Sequence, residues 1–380
     1  MKAVIAIDSF KGSISSIEAG DAVKQGILQV YPEAQIEVLP LADGGEGTVD
    51  TLVIGMNGEK KSITVRGPLK EMKVLANYGV LENTNTVIIE MAQAAGLPLV
   101  PQNLRNPLNT TTYGVGEIIK DAVDGGYRNF IVGIGGSATN DAGIGMLKAL
   151  GFEFFDKDGN LVEGAGKDLI NITKIDTKNV LPQLKECTFK VACDVNNPLY
   201  GKNGAAHIYG PQKGATPTIV EQLDNGLKHF SQVVKSQFDK DNCQIAGTGA
   251  AGGLGYAFVT FLNAKLESGS SIIIEEISLE DKVKDADFVI TGEGRLDKQT
   301  AMGKAPISVA KIAKKYNVKT LAFSGCTTDD AIKCNEQGID AFFPIVNKAM
   351  DLEEAMNIEN AIKNMTQTVV QVFNVIKIMQ

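Results

Sequence analysis

The two ends of this chain are written in one style, and that repetition limits the folds open to it more than any other feature. Residues 3–7 form an apolar run that stops at Asp8. Ser15 and Glu18 have the spacing of a capping box, and Ile17, Ala22, Val23, Ile27 and Val30 recur at helical intervals until Pro32. A second strand is expected over 36–39, then the turn Ala42-Asp43-Gly44-Gly45-Glu46-Gly47 and a helix through Val49, Leu52 and Val53. Far along the chain, 287–290 reads as a strand ending in Thr291-Gly292-Glu293-Gly294-Arg295-Leu296-Asp297. A helix over 306–316, strands over 320–323 and 341–345 and a long amphipathic helix follow. Five strands alternating with helices suit an α/β fold, a flavodoxin-like doubly wound parallel sheet whose ligands bind at the strands' carboxyl ends. Asp8, Asp43 and Glu293 all fall at such ends.

That sheet is interrupted. With 380 residues the chain exceeds one ordinary core, so two domains are expected. The discontinuous flavodoxin-like domain is expected to take 1–62 and 283–380, with a second α/β domain inserted over 63–282. Strands over 62–66, 73–80 and 86–90 form a meander around Gly-Pro and Asn-rich turns, and helices over 114–124 and 217–236 flank a glycine loop. In that loop, Gly133-Ile134-Gly135-Gly136-Ser137-Ala138-Thr139-Asn140-Asp141, an apolar strand breaks into glycines and a helix is expected to restart with Asp141 as its N-cap. Exposed backbone N–H groups and the positive end of a helix attract phosphate. Asn140 and Asp141 add side chains able to hold a hydroxyl or a metal-bound water.

A formal net charge of −8 argues against general nucleic-acid binding, while local lysines and arginines leave an anionic small substrate open. No apolar run is long enough to span a bilayer, and no signal-like segment opens the chain. Five cysteines with no CxxC pair read as reduced thiols, hence a cytoplasmic protein. A homodimer is compatible with the sequence but not written in it.

The chain has two histidines, His207 and His229, and His229 sits in an amphipathic stretch, so a histidine-based mechanism has little to stand on. No Walker A motif occurs. Gly133, Gly135 and Ala138 fit a loose G-x-G-x-x-A after a strand, which keeps an NAD(P)-dependent oxidoreductase as the alternative reading. Gly247, Gly249 and Gly252 fit a similar spacing without a preceding strand and read as packing at a helix entry. The stronger pattern is a set of carboxylate-bearing turns at Asp8, Asp43, Asp194 and Glu293-Asp297, close in sequence to Lys11, Lys213, Arg295 and Lys304. One such turn is what any cap or turn uses; several, beside glycine loops, suit phosphoryl transfer. Carboxylates hold Mg²⁺ or accept a proton, glycine amides cradle phosphate, and basic groups neutralise the transferring charge.

These turns carry a resemblance. Asp8-Ser9-Phe10-Lys11-Gly12, Ala42 to Thr48, Arg105-Asn106-Pro107-Leu108 and the loop from Gly133 to Asp141 resemble the bacterial type I glycerate kinase family. So do Cys193-Asp194-Val195-Asn196-Asn197-Pro198-Leu199, Gly210-Pro211-Gln212-Lys213-Gly214-Ala215, Gly249 to Gly255 and Thr291-Gly292-Glu293-Gly294-Arg295. The segments occur in the family's order along nearly the whole chain. Departures are few: Ile7 stands where the family often has proline, Ala142 where it often has glycine, and Cys326-Thr327-Thr328 lies in a divergent loop.

The resemblance implies Mg²⁺-dependent transfer of phosphate from ATP to D-glycerate in a cleft between the two domains, with 2-phosphoglycerate favoured over 3-phosphoglycerate as product. On that basis Gly135, Gly136 and Ser137 are expected to bind nucleotide phosphate, with Asn140 and Asp141 beside them. Lys11 is expected at the catalytic centre, neutralising phosphate or the substrate carboxylate together with Arg295, and Arg105 or Lys213 is open to share the task. Asp194 is the candidate base, Asp43 its alternative, and Glu293 and Asp297 are candidate Mg²⁺ holders.

Overall fold

The computed structural model describes residues 1–42 and 47–379. In chain order, β1 (Lys2–Ile7) and β2 (Gln35–Pro40) are followed by β3 (Glu59–Arg66), β4 (Lys73–Leu81), β5 (Thr86–Glu90) and β6 (Asn129–Gly133). Next come β7 (Glu153–Phe155), β8 (Lys174–Asp176), β9 (Thr188–Ala192) and β10 (Lys265–Glu267), and then β11 (Phe288–Leu296), β12 (Lys319–Thr327) and β13 (Ala341–Pro344). The chain divides into two compact units. The first takes the opening residues, Asp50–Asn57 and everything from Ser270 onward; the second takes Gly58–Gly269 and a short piece ending at Val49.

The first unit holds one parallel sheet in the order β2-β1-β11-β12-β13. Counted within the sheet, this is the flavodoxin-like order, with its switch point between β1 and β11. Every residue from Ala3 to Ile7 is fully buried, as a central parallel strand covered on both faces requires. The helix Ser16–Val30 starts at the expected capping box, where Glu18 N–H donates to Ser15 Oγ (3.2 Å) and Ser15 N–H to Glu18 (2.8 Å). Its Ala22, Val23 and Ile27 share a core with Met365, Val369 and Phe373 of the closing helix Ile358–Met379.

Two details of this sheet depart from expectation. β11 does not end at residue 290 but runs on to Leu296, because β12 runs alongside it as far as Thr327, pairing Glu293 with Ser324 and Arg295 with Cys326. Cys326 and Thr327 are therefore strand, not loop. The carboxylate expected in a turn stands instead on an extended two-strand projection beyond β1.

The second unit carries a six-stranded sheet in the order β10-β9-β6-β5-β4-β3, antiparallel across β3, β4 and β5 and parallel from β5 to β10. Glu59 already pairs with Val80, so this unit begins ahead of the expected boundary at 63. At its far end, Leu279 and Val283 are buried in a helix that packs on the helix Ala305–Lys315 of the first unit's sheet, so the return falls earlier than 283.

At Gly292 the φ is +157°, and a Cβ there would lie 1.9 Å from the Phe323 carbonyl oxygen. Gly292→Ala is expected to lower stability by about 2–3 kcal/mol through overpacking between β11 and β12. Urea denaturation checks this; an unchanged midpoint would show that the two strands part without cost.

Candidate active site

In the second unit, β6 delivers the chain to the glycine loop, and between Phe130 and Ala142 only Gly135 and Gly136 are exposed. Gly136 has φ +71°, a backbone that side chains other than glycine seldom adopt. The loop is clamped from outside: Leu97 N–H donates to Gly136 O (2.8 Å), Ala138 N–H to Ala95 O (2.9 Å) and Thr110 Oγ1 to Ala138 O (3.0 Å).

Its far end is held by Asp141, which is fully buried. Asp141 Oδ2 accepts from Thr112 N–H (2.8 Å), Thr112 Oγ1 (2.8 Å) and Gly145 N–H (3.3 Å), and Oδ1 accepts from Gly143 N–H (3.2 Å). Burial pushes this carboxyl above its usual range, and the four donors oppose the shift. The helix expected to begin at Asp141 begins at Ile144, after the left-handed pair Ala142 and Gly143. Asp141 is therefore an internal brace rather than a group offered to a ligand, because all its bonding capacity is turned inward.

Lys213 is the second brace. It is 2% exposed, and its Nζ donates to Ser137 Oγ (2.7 Å) and to Thr139 O (2.6 Å). Burial draws its pKa down to about 7, with the Asp141 charge pulling the other way. Expected at the substrate, Lys213 is instead tied to the back of the loop. Arg105 Nε donates to Val100 O (3.3 Å), and the Arg105 backbone packs on Gly214, next to that lysine. Asn140 is buried with neither amide atom bonded, and the neighbouring Thr139 hydroxyl is likewise unbonded. Behind them Gly252 (φ +68°) sits so close that a Cβ would lie 2.0 Å from Thr139 O, which confirms the packing role expected of that glycine cluster.

Gly133 pairs in register with Ala192, so Asp194, two residues further on, leaves the sheet beside the glycine loop. Asp194 is exposed, and its Oδ1 accepts from Gly269 N–H (3.2 Å). With Asn196, Glu267 and Ser268 it lines a cavity of about 320 Å³ at the carboxyl ends of β9 and β10.

In the first unit the turn after β1 runs along β11. Asp8 N–H donates to Gly292 O (2.9 Å), and Gly294 abuts the backbone of Phe10 and Lys11, whose side chain is exposed. Glu293 accepts from the Thr300 hydroxyl and faces Lys304 Nζ at 3.6 Å; burial raises its pKa against both. Asp297 caps the short helix Lys298–Ala301, with Oδ1 accepting from Gln299 and Thr300 N–H and Oδ2 from Arg295 Nε and Nη2 at 3.0 Å each. Both its oxygens are spoken for, so Asp297 does not fit direct metal ligation; Glu293 is hydrogen-bonded through one oxygen, the other facing Lys304 at 3.6 Å. Among the described residues no three carboxylate, histidine or cysteine groups converge on one point. Mg²⁺ asks for less, since one or two carboxylates, water and phosphate oxygens complete its shell. Asp43 lies outside the described residues.

Several residues of these constellations carry no motif-level signal. Thr112 is known only through Asp141, and Glu90, buried at the end of β5, accepts from Val49 N–H (2.8 Å) in the first turn of the helix Thr48–Gly55. The Thr291 and Ser324 hydroxyls are buried and unbonded on β11 and β12; Thr291 opens a carboxylate turn, but nothing marks Ser324. His229 packs as expected, its Nε2 2.8 Å from Ile172 O.

A rigid backbone cradle beside a carboxylate cavity, with a second carboxylate and basic group set at the switch point of a flavodoxin-like sheet, defines a phosphate-handling α/β enzyme. The dinucleotide reading finds no support, because after Gly135 the chain passes through the left-handed Gly136, an irregular buried stretch and the left-handed pair Ala142 and Gly143 before a helix begins at Ile144, instead of entering directly a helix that would face a pyrophosphate. The chain belongs to the glycerate kinase family, whose model matches residues 3–377. It is 48% identical to the glycerate kinase of Haemophilus influenzae over 94% of each chain, and 44% identical to the glycerate 2-kinase of Escherichia coli over 97% of this chain and 98% of that one. A solved structure provisionally assigned as glycerate kinase 2 of Salmonella typhimurium LT2 superposes with a TM-score of 0.92 at 43% identity, covering 100% of this chain and 99% of that one. Membership in a kinase family implies ATP as co-substrate. No helix of the described residues is long and apolar enough to cross a membrane.

A lysine that binds its proton less readily folded than unfolded leaves the unfolded chain holding more protons between about pH 7 and ~10.4, so its contribution to stability rises with pH across that window. The thermal midpoint of the wild type minus that of Lys213→Met is therefore expected to increase from pH 6.5 to 9.5 (roughly the window's working part). A flat difference would place Lys213 in water rather than behind the loop.

Proposed function

We propose that the protein transfers phosphate from ATP to D-glycerate, giving 2-phosphoglycerate, with Mg²⁺ as the metal and the cytoplasm as its place of work. The observation that carries this reading is the loop in which Gly135 and Gly136 alone face solvent while Ser137, Asn140 and Asp141 are buried behind them. Backbone amides so held stabilise phosphate charge without reorganising during the reaction. The unbonded Asn140 amide fits a phosphate partner, since a buried polar group without one is costly.

Asp194 takes the proton as the glycerate hydroxyl oxygen bonds to the γ-phosphorus and the bond from that phosphorus to ADP breaks. The Gly269 N–H on Oδ1 fixes the carboxylate's orientation. Lys11 and Arg295 neutralise phosphate or the substrate carboxylate, and Asp297 aims Arg295 through its paired bonds. Glu293 would hold Mg²⁺, which when bound offsets the phosphates' charge. The reading draws on both units and stands on the chemistry of each by itself. Free cysteines throughout the described residues support the cytoplasmic assignment. The name of the Escherichia coli relative, a glycerate 2-kinase, supports the 2-phosphate product.

Incubation with D-glycerate and Mg-ATP, followed by phosphorus NMR, is expected to show 2-phosphoglycerate; a 3-phosphoglycerate signal would overturn the regiochemistry and no phosphoglycerate the reaction. Asp194→Asn is expected to lower kcat by about 10²- to 10⁴-fold while nucleotide affinity stays within about twofold. Near-normal turnover would remove Asp194 as the base.

A further inference from the structure

We propose that the cavity at the amino-terminal ends of β9 and β10 is a binding site for a small planar organic anion, an aromatic carboxylate or sulfonate, distinct from the phosphoryl-transfer groups. The cavity holds about 820 Å³, within the range of small-molecule sites. Its lining includes Lys178, Lys185, Lys190, Lys240 and Lys265 and not one aspartate or glutamate. Over the whole chain acidic residues outnumber basic ones 45 to 37, so the lining reverses the protein's own balance.

Two carboxylates near the lining in sequence are turned to other partners. Glu186 pairs with Arg128 at 3.0 Å, and Asp241 with Lys235 at 2.6 Å. Asp176 lies 3.6 Å from Lys174 and 3.9 Å from Lys178. Among the lining lysines, Lys240 donates to the Thr260 carbonyl, Lys178 shares Asp176 and Lys190 is half-buried with an interaction of its own, which leaves the exposed Lys185 and Lys265 as the pair to meet an anion. A low-dielectric concavity edged by one sign of charge concentrates the field that attracts the opposite sign.

The apolar part of the ligand is set by the floor. Phe152, Phe189, Phe238 and Phe261 all line the cavity. Phe261 meets Phe152 and Phe238 edge-on at 5.3 and 5.9 Å between centroids, and Phe189 stacks on Phe130 at 4.8 Å, so the rings are fixed by one another rather than free to fill the space. Fixed aromatic faces favour a flat, apolar body over a small hydrated ion. The cavity stands at the opposite ends of the strands from the glycine loop: β9 and β10 begin at it and end beside Asp194 and Ser268.

Fluorescence titration with 8-anilinonaphthalene-1-sulfonate, an aromatic sulfonate, tests the site on the intact native protein saturated with Mg-ATP. Lys185→Glu with Lys265→Glu, both exposed and outside the proposed reaction, is expected to retain the thermal midpoint and to lose one sulfonate site or weaken it about tenfold or more. The neutral probe N-phenyl-1-naphthylamine is expected to bind the wild type about tenfold more weakly than the sulfonate. Unchanged stoichiometry and affinity in the double variant would overturn the site, and equal binding of the neutral probe would overturn its preference for an anion. If the double variant loses stability, Lys185→Met with Lys265→Met replaces it, with the same loss expected.

Discussion

The buried carboxylate of Asp141 is the interaction on which the rest of the second unit's chemistry depends. A buried polar group is costly unless its hydrogen-bonding capacity is met, and here four donors from Thr112, Gly143 and Gly145 meet that of the carboxyl. Because those donors come from the start of one helix and the start of another, the carboxylate joins two elements that lie far apart in sequence. Lys213 adds a second tie through Ser137 and Thr139. Between the end of β6 at Gly133 and the tie at Ser137, only Gly135 and Gly136 are exposed. The polar groups most easily mistaken for ligand contacts are thus what holds the exposed backbone of the loop in place.

The first unit solves a similar problem with strands. A parallel sheet in flavodoxin-like order opens a crevice where β1 and β11 send their connections to opposite sides. β11 and β12 continue past that crevice as a two-strand projection, which puts Glu293 on a strand braced by Ser324 and close to the turn carrying Lys11. Side chains on strands are held more firmly than side chains on turns. Asp297 then serves twice, as helix cap and as the partner that orients Arg295.

Much of this was legible in advance. The sheet's five strands, the capping box at Ser15 and the meander over β3 to β5 follow from apolar period and cap chemistry, which act over a few residues. The loop at Gly133 was legible as exposed glycines breaking from a buried strand, because an apolar run that ends in glycines marks such a turn. What was not legible is which way each polar side chain turns. Asp141 and Lys213 carry the residue types of a binding site, and burial converted both into scaffolding. Asp297 has the spacing of a metal ligand and also of an N-cap, and the cap won, since two backbone N–H groups lie within reach at no cost in ordering. The end of β11 was misplaced because Gly292 and Gly294 look like a turn until β12 is laid beside them.

By itself, then, the sequence determined the alternation of strands and helices, the interruption of one sheet by a second and the inventory of carboxylates, lysines and glycines, because these are written in local pattern and order. Its motifs, taken together, also determined the family. Only the tertiary structure decided which charges face inward. That decision depends on partners such as Thr112, which donates to Asp141, and Ser137, which accepts from Lys213, brought within 3 Å across sequence separations of 29 and 76. No periodicity of 2 or 3.6 residues encodes a distance of that kind, and burial, which raises the Asp141 pKa and lowers that of Lys213, is a property of the packed core alone.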